Sequence, residues 1–225
     1  MNVVFDLDDT IHDKSASLEK CGGALFEEYL SETEINRQTF VESFVRENYV
    51  IQAKVEVFRK LALAYSFPER VETEMLDRFD NTFHQFSERF DYVSETFSFL
   101  RNEGVQIACL TNGRDFFQRN KISALGLEEY FEVIITSGEF GVKKPDQAIF
   151  KFVIDSLQVN AGSTVFVGDS LKADMIPAKK LGLITVWKTD DKTTNPEYVD
   201  FKLSHFREFR KLWEAISLGA ATSKS

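Results

Sequence analysis

The stretch that decides the fold is VVFDLDDT, residues 3–10. Its apolar opening, with Asn2 in front, reads as a short strand buried on both faces, Asn2–Phe5. Carboxylates begin where the strand ends, which is where open α/β sheets bind their ligands. Asp6 and Asp8 are two residues apart, so in an extended backbone they point to the same side. A long helical tract follows. From about residue 17 to 86 apolar residues recur at three- and four-residue steps. The stripes are Leu18, Cys21, Leu25, Tyr29; Phe40, Val41, Phe44, Val45; Val55, Phe58, Leu61, Ala62, Tyr65; and Val71, Met75, Phe79, Phe83, Phe86. Ser31 with Glu34 has the spacing of a capping box opening the second helix, and Pro68 sits where the fourth begins.

From Ser94 onward the pattern becomes short apolar strands alternating with helices. The expected strands are Val105–Leu110, Phe131–Thr136, Thr164–Val167, Ile184–Trp187 and a weaker Phe201–Leu203. Helices are expected at about 94–103, 114–125, 146–157, 170–181 and 205–216, with Gly104 and Gly126 just past two helix ends. Apolar strands alternating with helices imply an α/β architecture, a Rossmann-like parallel sheet with helices on both faces. The simplest organisation is an α/β core of residues 1–13 and 90–225, with an all-helical cap, 14–89, inserted after the first strand. The polar tail Gly219–Ser225 reads as frayed.

Composition narrows the function. Lys+Arg number 27 against 36 Asp+Glu in 225 residues, a net charge of −9. That argues against a surface for nucleic-acid phosphates or acidic membranes, which needs a cationic stripe. Hydrophobic residues at 43% and charged residues at 28% exclude disordered and fibrous classes. Cys21 and Cys109 show no CxxC spacing and read as apolar fillers. The start turns acidic after five residues, unlike a secretory leader, and no uncharged apolar run approaches the roughly 18 residues of a membrane span. The expectation is a cytoplasmic protein whose partner is a small molecule, not nucleic acid or membrane. Its oligomeric state is not legible.

Three further polar signals follow the first. LTNG, residues 110–113, closes the next core strand; GVKKPD, 141–146, sets Lys144 directly before Pro145, expected to initiate a helix; VGDSLKAD, 167–174, has Asp169 at a strand end and Asp174 about one helical turn on. Together with DxDxT these resemble, in order, the four motifs of the haloacid dehalogenase superfamily, and the resemblance covers nearly the whole chain. The physics of the residues agrees. Asp6, Asp8, Asp169 and Asp174 in one cleft would share a proton or need a cation. Without a His or Cys cluster, a hard ion such as Mg²⁺ suits carboxylates and substrate phosphate. At an effective dielectric near 20, an opposite unit charge at 4 Å is worth about 4 kcal/mol.

The resemblance implies roles. Asp6 attacks phosphorus, giving an aspartyl-phosphate, while Asp8 protonates the leaving oxygen and later takes a proton from water. The Asp6 carboxylate, the Asp8 backbone carbonyl and Asp169 hold Mg²⁺, and Asp174 holds metal-bound water or the neighbouring ligand. Thr111, the backbone N–H groups of Asn112 and Gly113, and Lys144 bind the substrate phosphate, with amides of Leu7–Asp9 adding to the cradle. Asp9 reads as a loop residue, Lys143 as surface, Thr10 as a loop cap or support, and His12 as a surface or hydrogen-bonded residue outside the site. Arg114 is as well explained by exposure as by substrate contact. Relatives commonly carry glycine where this chain has Pro177, which puts the local turn geometry in question.

Asp8 decides among reactions. Dehalogenases proper lack an acid/base aspartate two residues after the nucleophile, so phosphoester chemistry is favoured. The run TNG…Gln118…Lys121…LGL resembles cap-bearing phosphatases of the 5′-nucleotidase-like and acylneuraminate-phosphatase-like branches. The expected activity is an Mg²⁺-dependent phosphomonoesterase for a nucleoside monophosphate or sugar phosphate, with a phosphomutase as alternative. Outside enzymes, the alternatives are an aspartate-phosphorylated receiver-like protein, typically about half this length, and a non-catalytic phosphate binder, which needs no Asp6–Asp8 pair.

Overall fold

The structure is a computed structural model and describes residues 1–222. Its strands are β1 Asn2–Phe5, β2 Ile107–Thr111, β3 Val133–Thr136, β4 Thr164–Gly168, β5 Ile184–Lys188 and β6 Phe201–Leu203. All pair in parallel, in the order β3-β2-β1-β4-β5-β6. From the central β1 the chain runs outward through β2 and β3, then returns to build β4, β5 and β6 on the other side. The order therefore reverses between β1 and β4, the place where such sheets bind ligands. Val4 pairs with Ala108 on one side and Phe166 on the other.

The two-residue strand period sorts side chains into two layers. Val3, Phe5, Ile107, Cys109, Val165 and Val167 face a core completed by α5 (Val93–Asn102) and α10 (Phe209–Thr222) through Phe97, Phe209 and Trp213. Val4, Ala108, Leu110 and Phe166 face the other, packed by α8 (Gln147–Leu157) and α9 (Ile176–Lys180) through Phe150, Val153 and Ala178. Helices on both faces are what the unbroken apolar strands require. Gly104 and Gly126 follow their helices with φ of +71° and +67°, the left-handed conformation that ends a helix at little steric cost.

Two compact units result: Met1–His12 with Arg89–Ser225, and Asp13–Glu88. The second contains α1 (Lys14–Tyr29), α2 (Arg37–Tyr49), α3 (Lys54–Tyr65) and α4 (Glu69–Thr82). Its interior is aromatic: Phe44, Phe58 and Phe79 hold ring centroids 5.7–6.0 Å apart. Edge-to-face and tilted ring contacts of this kind add to the burial of large apolar area.

Several local expectations are corrected. The Ser31–Glu34 box does not open α2; Asn36 caps it, accepting from the Thr39 N–H at 3.0 Å. Residues 31–35 instead close α1, with the Thr33 hydroxyl and N–H both donating to Leu30 O. Val55 is exposed and Val57 takes its place in the core. Pro68 is the cap before α4, not its first residue. Pro145 likewise stands one residue outside the cap of α8, Asp146, whose carboxylate accepts from the Ala148 N–H. The expected tail is helical through Thr222 as part of α10, while its residues 223–225 lie outside the described residues. Among the described residues, no helix is long and apolar enough to cross a membrane.

Candidate active site

Asp6 follows β1 and continues its ladder, its N–H donating to Val167 O at 2.9 Å. Lys144 comes from the loop between α7 (Ser137–Phe140) and α8. Asn112 of LTNG fixes that loop: its Oδ1 accepts from the Lys144 N–H at 2.8 Å, and its Nδ2 donates to Lys144 O at 3.1 Å. The buried Lys144 Nζ then lies 2.6 Å from Asp6 Oδ1 and 2.7 Å from Asp174 Oδ1. Asp174 sits on a widened turn, Leu171–Met175, in which the Met175 N–H donates to Ser170 O. Pro177 has no N–H for Ala173, and its ring crowds that carbonyl, so a looser turn ahead of α9 is the expected response. Asp174 Oδ2 accepts from the Ser170 N–H at 3.0 Å, which aims the other oxygen at Lys144. Asp169, after β4, has its carbonyl held by Trp187 Nε1 at 2.7 Å.

Carboxylate oxygens of Asp6, Asp169 and Asp174 all lie within 4.8 Å of one another. Fully ionised, three carboxylates against one ammonium leave two uncompensated negative charges in a largely buried space. Burial, then Asp174 and Asp169, push the Asp6 carboxyl well above its usual range despite Lys144. Burial first, then Asp174 and Asp9, raise Asp169 to about 6. Burial pulls Lys144 down, but Asp174 and Asp6 outweigh it and hold the ammonium charged. An all-oxygen donor set with surplus negative charge fits a hard divalent cation such as Mg²⁺. Asp174, read from sequence as an outer residue, stands in the same cluster as Asp6 and Asp169.

The Asp8 carboxylate lies outside that cluster. Its Oδ1 accepts from Lys121 Nζ at 2.5 Å and lies 2.6 Å from His12 Nδ1; its Oδ2 accepts from Gln118 Nε2 at 3.3 Å. Burial pushes Asp8 up, but the Lys121 charge and the His12 bond overturn this and hold it well below the usual carboxylate range. Gln118 also donates to Thr111 Oγ1 at 2.6 Å, tying the second motif to the first. Of the amides expected to face phosphate, that of Gly113 donates to Ser137 Oγ and that of Asp9 to His12 O. Asp9 has a left-handed φ of +58°, and Thr10 is fully buried. Lys143 is exposed, and the Arg114 guanidinium lies 5.0 Å from the Phe117 ring centre.

Residues 3–188 match the family described as haloacid dehalogenase-like hydrolase. The chain belongs to that family. Among curated relatives of this hydrolase is the glyceraldehyde 3-phosphate phosphatase of Methanocaldococcus jannaschii, 27% identical over 92% of this chain and 93% of that one. The N-acylneuraminate-9-phosphatase of Mus musculus is 40% identical over 43% of this chain and 39% of its own. Among solved structures, the HAD-hydrolase YfnB from Bacillus subtilis, bound to magnesium, superposes with a TM-score of 0.77 at 22% identity, covering 94% of this chain and 97% of that one.

In the sequence of this hydrolase His12 and Ser137 stand in none of the four motifs, and Gln118 and Lys121 carry no role of their own. A signal existed. Gln118, Lys121, Ile122 and Leu125 fall on one helical face running along α6 (Asp115–Ala124) and its cap, and all are buried, so two polar residues occupy an apolar stripe. Gly168 carries a further constraint. A Cβ there would stand 2.6 Å from Asp174 Oδ2 and 2.8 Å from Asp174 Cβ. Gly168→Ala is therefore expected to push Asp174 off Lys144, lowering stability by about 1–3 kcal/mol as an overpacked site does. Turnover should fall with it. Thermal denaturation and steady-state assays check both, and unchanged activity would show that Asp174 is not needed where it stands.

Proposed function

We propose that this hydrolase is an Mg²⁺-dependent phosphomonoesterase for a small phosphorylated metabolite, working through an aspartyl-phosphate on Asp6. The reading rests on one observation above all: Lys144 bridges Asp6 and Asp174 while an Asp169 oxygen lies within 4.8 Å of both carboxylates. Asp6, Asp169 and Asp174, with the Asp8 carbonyl, would hold the cation. When bound, it would supply the positive charge that lets an anionic nucleophile approach a phosphate dianion. Lys144 adds a fixed charge on the transferring group, and the Thr111 hydroxyl a hydrogen bond.

In the first half-reaction an Asp6 oxygen bonds to phosphorus, the ester P–O bond breaks, and the leaving oxygen takes a proton from Asp8. A phosphate dianion beside Asp8 raises its proton affinity, which favours that donor state. In the second, water attacks phosphorus, the bond to Asp6 breaks, and Asp8 takes the proton of the water. Sugar phosphates and their short relatives are the favoured substrates over nucleoside monophosphates, because the relative aligned over 92% of this chain is named for glyceraldehyde 3-phosphate. The helical unit, 14–89 in the sequence reading, is proposed as the cap that carries substrate selectivity.

The test is phosphate release by the full chain from p-nitrophenyl phosphate and a panel of sugar phosphates and nucleoside monophosphates. Many turnovers are expected with Mg²⁺, none in chelator, and recovery on adding Mg²⁺ back. A stable, stoichiometric phosphoprotein would instead favour the receiver-like alternative, and no phosphate transfer at all would leave a binding protein.

A further inference from the structure

We propose that Lys121, with His12 and Gln118, is a positioning device that aims the Asp8 carboxylate at the water that releases phosphate from Asp6. The inference rests on the reading of Asp8 as the proton acceptor and adds residues to which that reading gives no role. Three donors from two separate segments converge on one carboxylate: His12 from the loop after β1, Gln118 and Lys121 from one face of α6. The Asp8 side chain keeps 29% of its surface exposed, whereas Lys121 and His12 are buried behind it at 3% and 0%. The donors thus hold the inner side of the carboxylate and leave its outer side to solvent and substrate.

A stabilising role alone is a poor account of this arrangement. Burying an ammonium is costly even when it is paired, and an apolar side chain at such a position is commonly as stable or more so. Position 121 lies on the apolar stripe of α6, beside buried Ile122, where leucine or methionine would extend the core. What an apolar residue could not supply is a donor fixing the Asp8 rotamer. Gln118 strengthens the point, because the amide nitrogen that reaches Asp8 Oδ2 at 3.3 Å also lies 2.6 Å from Thr111 Oγ1 and 3.0 Å from Asn112 O, its two hydrogens shared among the three acceptors. The aim of Asp8 is thereby fixed relative to the second motif, which carries the phosphate-binding hydroxyl.

Misplacing a reacting group by about 1 Å can reduce a rate about 10²-fold. With p-nitrophenyl phosphate the leaving phenolate needs no proton, so loss of aim should spare formation of the phosphoenzyme and slow its hydrolysis. For Lys121→Met, assayed in Mg²⁺ by rapid mixing, the expected trace is a burst of one nitrophenolate per enzyme. A steady state about 10²-fold slower than the parent follows, with KM falling alongside kcat. Acid-quenched protein should carry one phosphoryl group by intact mass, and Lys121→Arg should recover part of the rate. Asp8→Asn is the control and should give the burst with almost no turnover. A normal steady state in Asp8→Asn would overturn the reading of Asp8, and the positioning role with it. A burst in Asp8→Asn beside a linear, parent-like trace in Lys121→Met would overturn the positioning role alone. Should Lys121→Met fail to fold, Lys121→Gln, which keeps a shorter donor, is judged by the same two outcomes.

Discussion

Asp6→Asn is expected to end turnover and yet to raise the melting temperature measured in chelator. With Asp6 as the proposed nucleophile, a loss that no neighbour can replace should lower kcat by at least about 10⁴-fold. The opposite sign for stability follows from the charges around it. As found, Asp6 faces two other carboxylate groups within 4.8 Å and one ammonium at 2.6 Å, in a site where its side chain is nearly buried. Burial and two repulsions therefore act against one attraction, and the net result is a carboxyl raised well above its usual range. A group whose folded pKa is raised contributes its stability below the unfolded value, near 4, and loses it as pH rises through the folded one. Once ionised, Asp6 is accordingly a liability in the absence of a cation. Asparagine removes the charge, keeps an oxygen for Lys144 and leaves the Asp174 contact in place.

The expected gain is about 1–2 kcal/mol, or roughly 2–8 °C for a chain of this size. In Mg²⁺ the order should invert, because the parent offers the cation one more negative ligand than the variant does. Melting curves in chelator and in Mg²⁺, with phosphate-release assays on the same samples, give the answer. A variant less stable than the parent in chelator would mean that the three carboxylates do not repel as argued. Retained turnover would remove Asp6 from the role of nucleophile.

How much of this could be read without coordinates depends on the range of the interaction. The strands were legible because residues such as Val165–Val167 are apolar on both sides, which only a covered parallel sheet satisfies. Asp6, Asp169 and Lys144 were legible as a group because each stands in a short motif of its own. The capping of α2 was not: Ser31 and Glu34 have the right spacing, but Thr33 turns its hydroxyl back on Leu30, and a local contest of that kind is decided by the turn after α1. The surroundings of Asp8 were the hardest. The bond from Lys121 spans 113 positions, and no local pattern links the two. The visible hint was a lysine and a glutamine on an apolar stripe, which sequence alone explains equally well as a helix edge.

The second large effect is expected from Lys144→Met, and it separates folding from catalysis. Lys144 is 4% exposed and is the cation that Asp6 and Asp174 share. Methionine has the length to fill the space but leaves the three carboxylates with no ammonium among them. Removing one partner of a buried ion pair commonly costs about 3–5 kcal/mol, because the remaining charge stays uncompensated. In chelator that corresponds to a fall of roughly 6–20 °C in melting temperature. Added Mg²⁺ should restore much of the loss, since a divalent cation can take over the neutralisation of Asp6, Asp169 and Asp174. On the proposed reading activity should not return with it, because the charge that Lys144 would bring to the transferring phosphate would have no substitute, and a deficit of at least about 10³-fold is expected at saturating Mg²⁺. Asn112→Ala provides the geometric counterpart, keeping the ammonium while releasing the loop that Asn112 Oδ1 and Nδ2 clamp. If Lys144→Met regained both stability and turnover in Mg²⁺, the lysine would be a counter-charge for the folded apoprotein and nothing more. If it regained neither, the carboxylates would not be forming the cation site that their spacing suggests.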